Sequence, residues 1–379
     1  MDTVDGPFGL GRVEAAETLR QRAFAAGFDP AYWYPVEYDL ALKPGQVIEI
    51  KSTFGSLALF RGRDGRVGAV ENRCAHRQVK LSHGKVEDCR LTCPYHGWSY
   101  ETDGRLSAIQ HELFGKNFPA VRLRSYPVQV RYGLIWVFFG DPQRAEKRPL
   151  PSIPEIEGKH PWVSIPLDFL VRAHPTAIVN NVMDSTHVAA LHRTFRTRTL
   201  RIGKLTRCEA QGDRVLLSHE VRLDSGGLLQ FLLSPLKHFT QESCYEYPYL
   251  WVSVGGVYKL WNFMLPIDER TTRLFLLSCA DNVKIPFTPY AAPVRLLQPA
   301  LAVAKRFLVT PLFVEDVWSF EVEQEGYDSN PRAPAVDFHP AIRPSYQLTV
   351  RKWEEHLASR RSEPGVLAPL RLTRGQSCA

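Results

Sequence analysis

Short runs of branched and aromatic side chains, separated by turn residues, fill the chain from residue 33 to about residue 140. The runs QVIEI, SLALFRG, VGAVEN and GLIWVFFG have the composition of β-strands. The dipeptides Asp64-Gly65 and Asp103-Gly104 stand between such runs and favour tight hairpin turns. The pattern therefore predicts an all-β module in this part of the chain.

The rest of the chain mixes helical and strand patterns. Helices are predicted over residues 11–27, 176–193 and 293–327. Gly27 ends the first helix, and Pro299 and Pro311 interrupt the last one. Strand-type runs return between residues 205 and 280. These elements predict an α+β protein whose second half is a sheet with flanking helices.

A chain of 379 residues exceeds what one hydrophobic core usually organises, so we expect two main domains. The proline-rich segment 141–162 has mixed charge and is typical of a linker. We place the domain boundary there. The predicted division is a helical extension at 1–32, an all-β domain at 33–145, a second domain at 146–360 and a disordered tail at 361–379.

Composition excludes several functional classes. The apolar share of 44% and the charged share of 23% are ordinary for a globular protein, and the net charge is +7. Without a recognised motif that modest charge gives no support for nucleic-acid binding. No run of eighteen apolar residues occurs, and the acidic N-terminus is unlike a signal peptide. We therefore expect a cytoplasmic protein with no membrane partner.

The segment CAHR…CPYHGWSY carries two cysteines and two histidines in an informative order. Cys74 precedes His76, and Cys93 precedes His96. Two thiolates and two imidazoles suit either one zinc ion or a [2Fe–2S] cluster with mixed ligands. Structural zinc sites usually pair two cysteines and then two histidines, whereas here each loop supplies one of each. This order favours the cluster, with both cysteines on one iron and both histidines on the other.

This segment, with WYPVEY before it, resembles the Rieske signature of ring-hydroxylating oxygenases. The resemblance implies that Cys74, His76, Cys93 and His96 bind the cluster. It also implies a Rieske domain at 33–145 and a mononuclear iron domain at 146–360, the latter an antiparallel sheet with flanking helices of the helix-grip type.

A second constellation lies on the helix predicted at 176–193. Asn181, Asp184 and His187 are three residues apart and share one face, whereas His192 follows His187 by five residues. Both imidazoles reach one metal only if the helix ends, loosens or carries a π-type bulge between them. Two histidines and one carboxylate are the ligands of a non-haem iron(II) oxygenase, and we expect the carboxylate from a distant part of the chain.

The family resemblance extends to this helix and to the late segment LFVEDVWSFEVEQ. It implies Asp316 as the third iron ligand, with Glu315 as the alternative because one residue of register separates them. It gives Asp184 a different role, a carboxylate that links a cluster histidine of one subunit to an iron-ligand histidine of the next. Asn181 is predicted to support the same residues.

The resemblance implies a terminal oxygenase that uses dioxygen and electrons from NAD(P)H. The chain has no Gly-x-Gly-x-x-Gly motif after a strand, so a separate reductase or ferredoxin is the expected donor. The compact branch of the family favours hydroxylation or oxidative demethylation of a small hydrophobic aromatic or alicyclic compound, by a homotrimer. The alternatives are a Rieske electron carrier without oxygenase activity and a cis-dihydroxylating dioxygenase.

Overall fold

The computed structural model describes residues 10–110, 120–192, 200–223, 238–281, 299 and 301–362. The predicted disordered tail at 361–379 begins too early, because residues 361 and 362 still belong to the last helix; residues 363–379 and most of residues 282–300 lie outside the described residues. The fold is a mixture of helices and antiparallel sheets, as predicted. No helix of the described part is long and apolar enough to cross a membrane.

Three small antiparallel sheets form the first half, with strand orders β1-β10-β9, β2-β3-β4 and β5-β6-β7-β8. Their strands are β1 (Trp33–Tyr38), β2 (Val47–Ser52), β3 (Gly55–Arg61), β4 (Val67–Glu71), β5 (Lys85–Glu87), β6 (Arg90–Thr92), β7 (Trp98–Tyr100), β8 (Leu106–Ile109), β9 (Val128–Arg131) and β10 (Leu134–Phe138). Both predicted hairpin turns are confirmed. Gly104 has a φ of +80°, and a side chain there would collide with the carbonyl oxygen of Leu123.

One seven-stranded antiparallel sheet dominates the second half, in the order β11-β17-β16-β15-β14-β13-β12. The first of these strands in the chain thus pairs with the last. The strands are β11 (Val163–Val171), β12 (Leu200–Gln211), β13 (Arg214–Leu223), β14 (His238–Glu246), β15 (Tyr249–Val254), β16 (Tyr258–Asp268) and β17 (Thr271–Ala280).

Helices precede, link and follow the strands. They are α1 (Leu10–Glu14), α2 (Leu19–Ala25), α3 (Pro142–Ala145), α4 (Pro154–Glu157), α5 (Pro175–Met183), α6 (His187–Leu191), α7 (Thr310–Ser329) and α8 (Ile342–Ser362).

Two helix predictions need correction. The single helix expected at 11–27 is two helices, because Thr18 caps a new helix by accepting the amide N–H of Gln21 at 3.2 Å. The single helix expected at 176–193 is also divided, into α5 and α6. Pro311 was expected to interrupt the late helix, and a π-helical turn at Lys305–Val309 does interrupt the regular α-helix directly before α7, in which Pro311 is the second residue.

The two sides of the large sheet pack against different partners. On one side, Trp136 of β10 contacts Phe263 of β16, with ring centroids 5.0 Å apart. On the other, Tyr245 of β14 hydrogen-bonds Thr349 of α8 at 3.0 Å. The small sheets therefore cover one side, and helices α5 to α8 lie over the other. We call this second side the helix-facing side.

The division into domains stays a prediction. One hydrophobic core runs from β1 and β10 into the large sheet. Polar contacts cross the same junction, since Tyr249 donates its hydroxyl to the carbonyl oxygen of Trp33 at 2.8 Å. The two halves of the chain thus pack as one body around the shared core.

Candidate metal centres

Two loops of nearly identical backbone geometry hold the Cys/His pairs. In each loop the cysteine N–H donates to the carbonyl five residues later, at 2.9 Å for Cys74 and 2.8 Å for Cys93. In each, the residue four positions after the cysteine bends back to the cysteine carbonyl and has a positive φ, 60° at Gln78 and 67° at Gly97. The loops therefore present their side chains in matching ways.

The four side chains separate into a buried pair and an exposed pair. Cys74 and Cys93 are 1% and 4% exposed, whereas both histidines are exposed. The rings of His76 and His96 lie 4.6 Å apart between centroids. Burial raises the pKa of the Cys93 thiol, which also contacts the side chain of Cys74.

The spread of these four side chains fits a cluster better than a single ion. Among the described residues, no three of the four bring their ligand atoms within 4.8 Å of one another. A tetrahedral zinc ion needs ligands packed more closely than that. Two irons, one facing the buried thiols and the other the exposed imidazoles, match the arrangement.

Tyr100 is a contact of this site that the sequence reasoning missed. Its hydroxyl lies 3.2 Å from Sγ of Cys74, and it accepts the N–H of Ala75 at 3.2 Å. The ring is fully buried, so this hydroxyl is held at the sulfur. Trp98 adds a second contact because its ring stacks on that of His76 at 4.8 Å, with an interplanar angle of 3°. Trp98 and Tyr100 both belong to the HGWSY run that begins at His96, so their position in the sequence could have indicated a contact with the Cys/His site.

A second group of three ligand atoms forms between α6 and α7. One atom each from His187, His192 and Asp316 all lie within 4.8 Å of one another. Each imidazole Nε2 is 3.5 Å from Oδ1 of Asp316. In the part of the chain that the structure describes, this is the group whose spacing suits a single metal ion.

The end of a short helix brings the two histidines together. His187 begins α6, and His192 follows its last residue with φ −74° and ψ 84°, outside the helical region. The expected end of the helix between the histidines is thus confirmed, at Leu191. A further break, at 184–186, separates α6 from α5 and was not expected.

Hydrogen bonds at Nδ1 orient both imidazoles. His187 donates Nδ1–H to the carbonyl oxygen of Asp184 at 2.6 Å. Nδ1 of His192 lies 3.3 Å from Oε2 of Glu315. Because each Nδ1 has an oxygen partner, each Nε2 is left with a lone pair directed toward Asp316. Glu315 therefore contacts the far side of an imidazole, while Asp316 faces both Nε2 atoms.

Asp316 provides the test of whether a cation fits. The residue is 8% exposed, and its Oδ1 has no hydrogen-bond partner among the described residues. Burial raises its pKa to about 8, against a hydrogen bond from Asn181 that lowers it. A buried carboxylate oxygen that faces two imidazole nitrogens without a donor is the environment that a metal cation satisfies.

Asn181 and Asp184 lie beside this group in different ways. Asn181 also donates to Oγ of Ser319 at 3.1 Å, so it ties α5 to α7. The carboxylate of Asp184 accepts the N–H of Thr186 at 3.1 Å, and the carbonyl of Asp184 reaches His187. A link from Asp184 to a second subunit stays a prediction.

The sequence is similar to known proteins. A family model for the Rieske [2Fe-2S] domain matches residues 32–126. The 4beta-methylsterol monooxygenase of Methylococcus capsulatus is 39% identical over 345 residues, which cover 90% of this chain and 92% of that protein.

Solved structures share the fold. Dicamba monooxygenase bound to dicamba superposes with a TM-score of 0.69 at 21% identity, over 88% of this chain and 100% of that one. The oxygenase in the reduced oxygenase–ferredoxin complex of carbazole 1,9a-dioxygenase superposes with a TM-score of 0.65 at 18% identity, over 92% and 95% of the two chains.

Proposed function

The chain belongs to the Rieske non-haem iron oxygenases, and from this premise we propose that it monooxygenates a hydrophobic alicyclic or aromatic compound. Electrons come from NAD(P)H through a separate reductase or ferredoxin. The product is a hydroxylated or demethylated compound.

We propose Cys74, His76, Cys93 and His96 as the cluster ligands, and His187, His192 and Asp316 as the ligands of mononuclear iron. Bound at these residues, the cluster supplies electrons and iron(II) supplies dioxygen activation. The convergence of Asp316 Oδ1 with two imidazole Nε2 atoms, each 3.5 Å away, is the single observation that carries the proposal.

Neighbouring residues of the chain prepare the iron site. The carbonyl of Asp184 and the carboxylate of Glu315 hold the imidazole rings, and Asn181 steadies the Asp316 carboxylate. In the proposal the Asp184 carboxylate also links the iron site to the cluster histidine of a neighbouring subunit. That role requires the homotrimer, which is part of the proposal.

The substrate and the donor are proposed from the relatives. A relative that shares most of its length with this chain is named for a methylsterol, so we propose a methyl group on a polycyclic substrate as the position oxidised. A structural neighbour is solved with a ferredoxin, which supports a ferredoxin donor. The cytoplasmic location stays a prediction.

The experiment is a turnover assay on iron-loaded protein with NADH, a reductase and a ferredoxin. The probe is a 4-methylsterol, and the control is the same sterol without the 4-methyl group. We expect oxygen uptake that depends on the methylsterol, and a product that mass spectrometry shows to carry one added oxygen atom. A product with two added hydroxyl groups on adjacent ring carbons would support the dihydroxylating alternative.

A further inference from the structure

Apolar residues on the helix-facing side of the large sheet pack against the first turn of α6. Val188, the residue after His187, packs in one cluster with Val221, Phe239, Val254 and Tyr258 from four different strands. This apolar wall lies next to the proposed iron ligands. It suits the hydrocarbon body of a substrate.

The same side of the sheet carries two buried polar atoms that lack a hydrogen-bond partner among the described residues. Nε2 of His219 and Oγ of Ser243 have no hydrogen-bond partner among the described residues, and the side chains are 2% and 0% exposed. An unpaired buried polar atom destabilises a fold, so native proteins rarely contain one, and a bound ligand can supply the missing partner.

The strand register places both side chains on the helix-facing side. His219 pairs with Gln241, and Ser243 is two residues further along the same strand, so the two are diagonal neighbours. Phe239, which belongs to the apolar wall, lies four residues before Ser243 on β14 and therefore shares the same side of the sheet. The two unpaired polar atoms therefore belong to neighbouring positions on one side of the sheet.

His219 is also tied to the loop of the iron site. Its Nδ1 lies 3.4 Å from Oγ of Ser185, in the link between α5 and α6. This contact fixes the ring and leaves Nε2 for a different partner. Burial lowers the pKa of His219 to about 4, so its imidazole is neutral at physiological pH.

The chemistry of this surface selects a neutral ligand. The described residues that share the side of His219 on strands β13 to β17 include no lysine, arginine, aspartate or glutamate. A carboxylate substrate would find no counter-ion among these described residues of the sheet, and burying an unpaired charge is costly. A hydroxyl or keto oxygen needs no counter-ion and can hydrogen-bond both His219 and Ser243.

We propose that His219 and Ser243 bind a neutral hydroxyl or keto oxygen of the substrate and so position its neighbouring carbon toward the iron site. The inference rests on the proposed oxygenase function and specifies its substrate class, an apolar compound with one neutral oxygen group. The two residues are positioning residues, since they act on the orientation of the substrate.

The test is equilibrium dialysis of iron-loaded protein with three radiolabelled probes: a 4-methylsterol, the matched hydrocarbon without the hydroxyl, and the matched carboxylic acid. We expect the sterol to bind most tightly. His219→Phe, which keeps the ring volume, should weaken sterol binding about tenfold and leave the hydrocarbon unchanged, the effect of one lost hydrogen bond. His219→Gln should restore part of the preference.

Ser243→Ala should act in the same direction, and Ser218→Ala is its matched control. Ser218 is the next residue to His219 but faces the opposite side of the sheet, where its hydroxyl accepts from Thr206. Equal binding of sterol and hydrocarbon, tighter binding of the acid, or no binding of any probe would overturn the inference. The oxygenase function is judged separately, by the iron signal and by oxygen uptake.

Discussion

Nδ1 of His192 lies 3.3 Å from the carboxylate of Glu315, so the residue next to Asp316 holds the imidazole from behind while Asp316 faces its Nε2. Two consecutive acidic residues on α7 thus contact opposite edges of one ring. The positions of their side chains suit the two carboxylates to the different roles proposed for them.

We expect Asp316→Ala to abolish iron binding at this site, because it removes a ligand. Glu315→Ala should weaken iron affinity by roughly 10–100-fold, the usual effect of losing the partner of a ligating histidine. Iron content per protein, corrected for the two irons of the cluster, measures both. Retention of iron by Asp316→Ala together with its complete loss in Glu315→Ala would reverse the assignment.

Tyr100→Phe removes the hydroxyl that lies 3.2 Å from Sγ of Cys74. A hydrogen bond to a cluster sulfur stabilises the reduced, more negative state, so its loss should lower the reduction potential. A hydrogen bond of about 1 kcal/mol corresponds to about 40 mV for one electron. Voltammetry should show this shift, whereas Tyr95→Phe, at an exposed ring, should leave the potential unchanged. Equal shifts in the two variants would show that the Tyr100 hydroxyl does not tune the potential.

His174 should make stability depend on pH. Its Nε2–H donates to the carbonyl oxygen of Ala26 at 3.1 Å, and its Nδ1 accepts the N–H of Thr176. Burial lowers its pKa to about 4, from 6.5 in the unfolded chain. The unfolded state therefore takes up the proton first as pH falls, and stability present above pH 6.5 is lost progressively toward pH 4, by about 3 kcal/mol in total.

His174→Gln can keep both hydrogen bonds without titrating. Urea unfolding at several pH values should show a smaller loss of stability between pH 6.5 and pH 4 in this variant than in the wild type. Identical pH dependence of the two proteins would contradict the prediction.

Trp136→Ala should destabilise the whole chain by about 3–5 kcal/mol, because it empties a fully buried site between β10 and the large sheet. Trp318→Ala is the control, since that side chain is 58% exposed and its loss should change stability by less than about 0.5 kcal/mol. Thermal unfolding measures both. Similar melting temperatures for the two variants would contradict a shared core at this junction.

Local patterns in the sequence predicted much of this protein. The two Cys/His pairs lie in two short loops, and hairpins turn at Asp64-Gly65 and Asp103-Gly104 as expected, because spacing along the chain determines these features. The antiparallel sheet with flanking helices was also predicted, from strand-type runs and from the family resemblance.

Three features of the site depend on tertiary contacts and could not be predicted from local sequence patterns. Whether Glu315 or Asp316 lies opposite the Nε2 atoms of the histidines depends on the rotation of α7 relative to α6. The sequences of the two helices do not determine that rotation. The break at 184–186 was missed because the residues around it have helical spacing. That His219 and Ser243 are neighbours on one side of the sheet can be inferred only when the register of β13 with β14 is known.

The most direct test of the central claim is electron paramagnetic resonance of fully iron-loaded protein, reduced with dithionite and then exposed to nitric oxide. We expect a Rieske cluster signal followed by a high-spin iron–nitrosyl signal, and His187→Ala should lose the second alone. A cluster signal with no iron–nitrosyl signal in the wild type would contradict the oxygenase site and would indicate an electron carrier.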